Sequence, residues 1–268
     1  MQLHRLRLLN FRNFSSEQIS FHPQTNILFG DNAQGKTNIL EAIYLLSTLQ
    51  TFRMAEHREL IQIGHNEARL EGIFERESVD KTLGLHVGLK GKKPMINGSV
   101  IKKSADYFGC VQVIGFIPSD LLIIQEGARL RRRYLDRAIF NLDATYAVEI
   151  GEYYRALLQR NAAIRLERDS LVQLWGEKLH QVGARIILKR LQFVEKLNTL
   201  TYCLYREISD TAQSAKLRYE SEVLEEGMSL VSEESLLAAL EDRQKRMLSR
   251  EKRLKRSLVG PHLDDFSF

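Results

Sequence analysis

The sequence predicts an α/β protein in which a mixed head region precedes a mainly helical region. Two observations predict this class. A glycine-rich loop at residues 30–37 lies between a short apolar segment and an amphipathic helix, as in α/β phosphate-binding folds. Near residue 120 the spacing of apolar residues then changes to a sustained helical period. We therefore place the boundary between the two regions near residue 120.

The head region contains signals for both strands and helices. Apolar residues 26–29 predict a short strand that ends at the loop, and the helical spacing of the residues that follow predicts a helix over 37–49. Alternation over 83–89 predicts a half-buried strand. Asn97-Gly98 lies between apolar pairs, which predicts a hairpin with a type I′ turn. Residues 111–117 predict a further strand.

The region after residue 120 is predicted to be almost entirely helical. Apolar residues at helical spacing mark one helix from Tyr146 to Ala162, a second from Leu179 to Val194 and a last one from Leu236 to Leu254. Residues 216–219 predict a short strand between the second and the last helix. Gly260-Pro261 then breaks the helical pattern.

Bulk composition excludes several classes of protein. With 268 residues and 44% hydrophobic residues, the chain can bury one large core or two modest ones. No apolar run approaches the ~20 residues that cross a bilayer, and the start of the chain lacks a secretory signal, so we expect a cytoplasmic location. Cys110 and Cys203 fit no metal-binding spacing, and we predict no zinc site.

Basic residues are clustered rather than evenly spread. The net charge of +5 and the pI of about 9.1 favour an anionic partner only mildly. Residues 243–256 hold eight basic residues opposed only by Glu251, and a solvated face and an anion-binding face remain equally open for them. Arg131, Arg132 and Arg133 open a predicted helix, where cations oppose the helix dipole, which favours a contact with DNA phosphates or one linked to the nucleotide.

The glycine-rich loop fits the phosphate-binding pattern G-x-x-x-x-G-K-[ST]. Glycines allow a tight turn, and the loop amides together with the helix N-terminus attract phosphate. Lys36 would neutralise the β- and γ-phosphate oxygens of a nucleoside triphosphate, and the Thr37 hydroxyl would ligate Mg²⁺. The loop residues are Gly30, Asp31, Asn32, Ala33, Gln34, Gly35, Lys36 and Thr37.

A catalytic acid that would complete an ATPase is not visible. The apolar run 121–125 is followed by Glu126, but it comes directly after Pro118-Ser119-Asp120, which suits the start of a helix better than a core strand. Asp264 and Asp265 follow no apolar strand. We therefore predict no catalytic residue in this sequence.

The ordered motifs resemble the RecF family of bacterial recombination-mediator ATPases, whose ABC-type heads are related to SMC proteins. The phosphate-binding loop alone is shared by many ATPases, whereas the ordered set of segments is specific. These segments start with Asn10-Phe11-Arg12-Asn13-Phe14 and the loop extended to Asn38, and they are spread along most of the chain. The matching segments are 10–14, 30–38, 52–53, 96–98, 116–120, 131–137, 153–161 and 260–262.

The resemblance implies a P-loop, ABC-type ATPase head lobe with an inserted, mainly helical arm. Residues 1–120 would form the head lobe, 121–257 the arm, and 258–268 the start of the return into the head. Two such heads would sandwich two ATP molecules, bind DNA and release it after slow hydrolysis. RecO- and RecR-like partners would help them to load RecA at single-strand gaps in recombinational repair.

The resemblance also implies roles for particular residues. Arg12, Asn13 and Asn38 would join the loop in binding ATP, with Arg12 close to the phosphates. Arg53 resembles the arginine that couples DNA to ATP in SMC-type heads. Ser119 and Asp120 would lie in the segment that joins the two lobes.

The sequence departs from the family pattern near its end. Leu263 stands where the family has an arginine in Gly-Pro-His-Arg-Asp-Asp, and no S-x-G-Q signature occurs. The family continues for roughly another hundred residues, which form a second head lobe with the signature and Walker B segments. The sequence is therefore interpreted as a fragment or a shortened homologue, with near-zero ATP hydrolysis.

Two other classes of function compete with an ATP-gated DNA-binding protein. A phosphotransferase could use the same loop, but the long helical region fits an acceptor pocket and lid poorly. An interaction module could bind nucleotide and a RecR-like partner without hydrolysis.

Overall fold

The structure is a computed structural model that describes residues 1–53, 56–102, 104–125, 127–208, 215–224 and 231–267. Two compact units, Met1–Gly115 and Phe116–Phe268, make up the chain. Each unit has its own hydrophobic core. The finer division predicted from the sequence, with a return into the head from residue 258, stays a prediction.

An antiparallel sheet of six strands forms the base of the first unit. The strand order is β2-β1-β3-β4-β5-β6. Asn97 and Gly98 both have positive φ angles (48° and 79°) between β5 and β6, as the predicted type I′ turn requires. The strands are β1 (Gln2–Phe11), β2 (Phe14–Ser20), β3 (Glu67–Arg76), β4 (Val79–Gly88), β5 (Gly91–Ile96) and β6 (Ser99–Val100).

The predicted helix after the loop is α1 (Lys36–Thr48). Ala42, Leu45 and Leu46 are wholly buried in the same cluster as Leu6 and Leu70 of the sheet. Burying each of the leucine side chains contributes roughly 1.5–3 kcal/mol, so the later turns of the helix are held firmly against the sheet. Two short helices, α2 (His57–Leu60) and α3 (Ser104–Tyr107), complete the unit.

Two strands predicted in this unit are not formed. Residues 26–29 and 112–117 belong to no strand in the described structure. The side chains of Ile27, Phe29 and Ile114 are 79%, 90% and 94% exposed. An apolar run becomes a strand only when a neighbouring strand pairs with its backbone, and periodicity does not report that neighbour.

Helices predominate in the second unit. The helices predicted from apolar spacing correspond to Ala144–Arg165, Asp169–Ile208 and Glu233–Leu254, and the predicted short strand corresponds to Arg218–Glu220. A 3₁₀ helix, Pro118–Ile123, occupies the segment that was expected to start a helix, and Glu126 lies outside the described residues. The remaining elements are α4 (Ala128–Leu142), α5 (Ala144–Arg165), α6 (Asp169–Ile208), β7 (Arg218–Glu220), α7 (Glu233–Leu254) and β8 (Asp265–Ser267).

The segment between α7 and β8 is held against the helices. Arg190 on α6 donates to the Pro261 carbonyl at 2.7 Å, and the Tyr153 hydroxyl is 2.7 Å from Nδ1 of His262. Gly260 has a φ of 125°, and a Cβ there would lie 2.4 Å from the Tyr153 hydroxyl. The position therefore accepts only glycine. Among the described helices, none is both long and apolar enough to cross a membrane.

Candidate functional site

The glycine-rich loop is a tight turn that ends at the first residue of α1. Gly30, Ala33 and Gly35 have φ angles of 133°, 67° and 105°. A Cβ on Gly35 would lie 2.6 Å from Cζ of Phe14, so this position requires glycine. Residues 30–34 are exposed, which leaves the main chain of the loop accessible from solvent.

The N-terminus of α1 is not capped by a side chain. Gly35 is the N-cap residue, and the amide of Ile39 makes the first helical hydrogen bond, at 3.0 Å to the Gly35 carbonyl. The amides of Lys36, Thr37 and Asn38 precede this bond and have no acceptor within the helix. The first turn also carries no acid. Unpaired amides and the positive end of the helix dipole favour an anion at this point.

Lys36 folds over the loop that precedes it. Its Nζ donates to the carbonyls of Gly30 at 2.6 Å and Asp31 at 2.7 Å. The ammonium group is thereby held at the loop, and Thr37 is exposed beside it. Main-chain amides, one ammonium and one hydroxyl oxygen form a donor set that fits a polyphosphate with a hard divalent cation.

A chain of amide side chains joins the loop to the turn between β1 and β2. Asn13 Nδ2 donates to the Gln34 carbonyl at 3.2 Å, and Asn38 Nδ2 donates to Asn13 Oδ1 at 2.7 Å. Arg53 extends the chain by donating to Asn38 Oδ1 at 2.8 Å. The residues that the family resemblance assigned to nucleotide and DNA coupling are thus connected to one another.

Glu41 on α1 is a buried carboxylate that lies close to this series of hydrogen-bonded side chains. Arg12 donates to both carboxylate oxygens of Glu41, each at 2.9 Å, and to the Glu59 carbonyl at 2.7 Å. The Thr51 hydroxyl donates to the same carboxylate, and Arg53 lies 3.8 Å from it. Glu41 is fully buried. Arg12 therefore faces the helix in this structure, and its contact with phosphates stays a prediction.

Sequence reasoning missed Glu41, although a signal was present. The residue stands in the apolar stretch Ile39-Leu40-Glu41-Ala42-Ile43. A buried carboxylate costs free energy unless cations or donors satisfy it, so an acid in such a stretch indicates a partner. Nearby, burial lowers the pKa of Lys92, and the charge of Glu41 opposes this shift.

The arginine triplet lies in the second unit and contacts the C-terminal strand. Arg131 donates to both carboxylate oxygens of Asp265 at 2.8 and 2.7 Å, and Arg132 donates to the Asp264 carbonyl at 2.6 Å. Arg133 is half-buried on the same helix. These contacts tie α4 to β8, and a role for the triplet in DNA binding stays a prediction.

Two titratable groups near β8, the half-buried His262 and the buried Asp264, have hydrogen-bond partners. Burial lowers the pKa of His262 to about 4. Burial raises the pKa of Asp264 to about 6, although Tyr219 and Ser221 donate to its carboxylate at 2.5 and 2.7 Å. Both side chains therefore help to hold the segment after α7 in place. The described contacts give His262 a structural role.

The family model of the RecF/RecN/SMC N-terminal domain matches residues 2–250. The fold and the loop accordingly define an SMC-type P-loop head protein with a helical unit. A DNA replication and repair protein RecF from Geobacter sulfurreducens is 38% identical over 269 residues, which cover the whole of this chain and 73% of that protein. The same protein from Thermosynechococcus vestitus is 37% identical and is covered to 72%.

Solved structures give the same result. A structure described as the recombination mediator protein RecF-ATP in the RecFOR pathway is 29% identical, with a TM-score of 0.91 over 99% of this chain and 72% of that one. The corresponding RecF-ATPrS structure is 30% identical, with a TM-score of 0.90. This chain belongs to the RecF family. It spans about 72% of the length of these relatives.

Proposed function

We propose that this chain binds ATP with Mg²⁺ on residues 30–37 and that bound ATP controls its association with DNA in recombinational repair. The uncapped N-terminus of α1 carries this proposal, because its free amides and Lys36 supply the contacts that a triphosphate needs. Thr37 would ligate the Mg²⁺. A cytoplasmic location follows from the same proposal.

The contacts of Arg53 support a link between nucleotide and DNA. This arginine hydrogen-bonds Asn38 in the first turn of α1 and lies beside Glu41. A DNA phosphate that drew Arg53 away would remove one donor from Asn38, which contacts Asn13 and through it the loop. DNA and ATP would then influence each other's affinity reciprocally. RecO- and RecR-like proteins are the partners expected in this role. We also expect two ATP-bound heads to pair and the assembly to promote the loading of RecA.

A second candidate is a nucleotide-binding interaction module that does not hydrolyse ATP. Glu41, the buried acid of this network, is already engaged by two arginines and a threonine hydroxyl, so it is not free to polarise water. We therefore expect ATP binding with near-zero turnover from this chain. Steady phosphate release at a typical ATPase rate would favour a complete enzyme instead.

Substitution of Lys36 tests nucleotide binding. Lys36→Ala removes a charge-assisted contact worth roughly 1.5–3 kcal/mol, so ATP affinity should fall by about 10- to 100-fold. Equilibrium binding of a fluorescent ATP analogue with Mg²⁺ measures the change. Lys90→Ala removes an exposed lysine of the same unit and should leave the affinity within about twofold. Unchanged affinity in Lys36→Ala would contradict the proposal.

A further inference from the structure

One end of the helical unit brings together the turn between α5 and α6 and the last turns of α7. Leu248 on α7 packs against Ile164 and Val172, which flank that turn. Lys252 lies 2.7 Å from Asp169, the first residue of α6. The basic run at residues 243–256 therefore ends beside the α5–α6 turn.

The acid within this basic run is turned inward. Glu251 is fully buried and accepts two hydrogen bonds from Arg160, at 2.6 and 3.2 Å. The Leu258 amide donates to it at 2.7 Å. Because Glu251 is satisfied internally, it adds no negative charge to the surface, and the end of α7 presents cations alone.

We call the exposed cations at this end of the unit the cationic tip. Within the described part of the chain, none of its members forms an ion pair with an acid. Glu167 is the exposed acid nearest in sequence, and Asp169 is already paired with Lys252. The cationic tip consists of Arg165, Arg168, Arg250, Arg253, Lys255 and Arg256.

Helix dipoles explain only part of this arrangement. Arg253 lies in the last turn of α7, where a cation is favourable. Arg168 immediately precedes α6, where a cation is unfavourable unless an anion approaches. The triplet at residues 131–133 differs, because Arg131 and Arg132 are engaged with the segment of β8.

We infer that the cationic tip binds the phosphate backbone of double-stranded DNA. This inference rests on the proposed DNA-binding function and assigns a surface to it. Five of the six cations are arginines, whose forked guanidinium groups bind phosphate in two-point contacts. The tip contains no aromatic side chain on which a base could stack, so it contacts the backbone without reading sequence.

The salt dependence of DNA binding tests this assignment. The variant Arg168→Gln, Arg253→Gln, Arg256→Gln should lower the slope of log affinity against log salt by about 2 to 3, roughly one per lost phosphate contact. Fluorescence anisotropy with a short duplex at several salt concentrations gives the slope. The matched variant Arg155→Gln, Lys196→Gln, Arg206→Gln removes the same charge from exposed positions of the same unit outside the tip and should change the slope by less than about 1.

A charge-retaining variant separates binding from folding. The variant Arg168→Lys, Arg253→Lys, Arg256→Lys should keep most of the slope, whereas an equal loss of slope in this variant would overturn the inference. If the glutamine variant shows an unchanged slope while the parent chain binds DNA normally, the assignment of DNA binding to the cationic tip is overturned. The proposed function would stay intact in that case. If the parent chain binds no DNA, both fail. If the tip binds a poly-glutamate peptide and not DNA, the surface belongs to an acidic protein partner.

Discussion

Two arginine–carboxylate networks, one in each unit, have different surroundings. In the first unit, Arg12 and Arg53 share Glu41 on α1, and the first amides of this helix have no acceptor within the helix and follow an exposed loop. In the second unit, Arg190 is wholly enclosed and bonded to Asp136 and to the Pro261 carbonyl. A network that leaves donors available can bind a ligand, whereas one that satisfies every group holds the fold together.

The largest effect is expected where a buried ion pair of the second unit is broken. Glu251→Ala leaves Arg160 buried and uncompensated, so the free energy of unfolding should fall by about 3–5 kcal/mol. Urea denaturation followed by circular dichroism measures this. A loss below about 1 kcal/mol would show that the pair is not structural.

An intermediate effect is expected from pH. Burial lowers the pKa of His180 and of His262 to about 4, compared with 6.5 when unfolded. The unfolded chain therefore binds more protons between these values, and these histidines make the protein more stable as the pH rises from 4 to 6.5. Asp264, with its pKa raised to about 6, acts in the opposite direction up to that pH.

The opposing contributions of these three groups predict how the free energy of unfolding changes with pH. Together they should raise the free energy of unfolding by about 3 kcal/mol at most from pH 4 to 6.5. His180→Gln removes one of the two favourable contributions, so its profile should be clearly flatter than that of the parent chain. Urea denaturation at several pH values provides the comparison, and parallel profiles would contradict the assignment of a neutral buried His180.

The smallest effect is expected at a solvent-accessible ion pair between α7 and the segment after β7. Arg243 and Glu222 lie 2.6 Å apart, and their side chains are 35% and 67% exposed. Arg243→Ala should change the free energy of unfolding by less than about 1 kcal/mol, because solvent screens the pair. This variant is the matched control for Glu251→Ala. Equal losses in the two variants would remove the distinction between buried and exposed pairs.

Local signals predicted much of the fold. The sequence correctly predicted the loop, α1, the Asn97-Gly98 turn and the long helices. The residues that determine each of these features lie within a few positions of one another. The predicted strands at 26–29 and 111–117 were wrong for the described structure, since strand formation depends on a distant neighbour. The pairing of β1 with β3 depends on distant residues in the same way and was not predicted.

The candidate site was predictable to a similar degree. The residues that contact phosphate in P-loop proteins follow one short pattern, and Asn13 and Asn38 were assigned by resemblance. Glu41 was missed because its partners, Arg12 and Arg53, are far from it in sequence. The contact of Arg131 with Asp265 spans 134 positions. A run of arginines shows charge, but only the fold shows whether an acid already neutralises it.

Hydrogen exchange at the loop amides, with and without MgATP, compares the two units in one experiment. Binding on residues 30–38 should slow exchange at the N-terminus of α1, because phosphate oxygens would accept hydrogen bonds from amides that are otherwise unpaired. Exchange around Arg190 and β8 should stay unchanged. Unaltered exchange at residues 30–38 under saturating MgATP would contradict nucleotide binding at this loop.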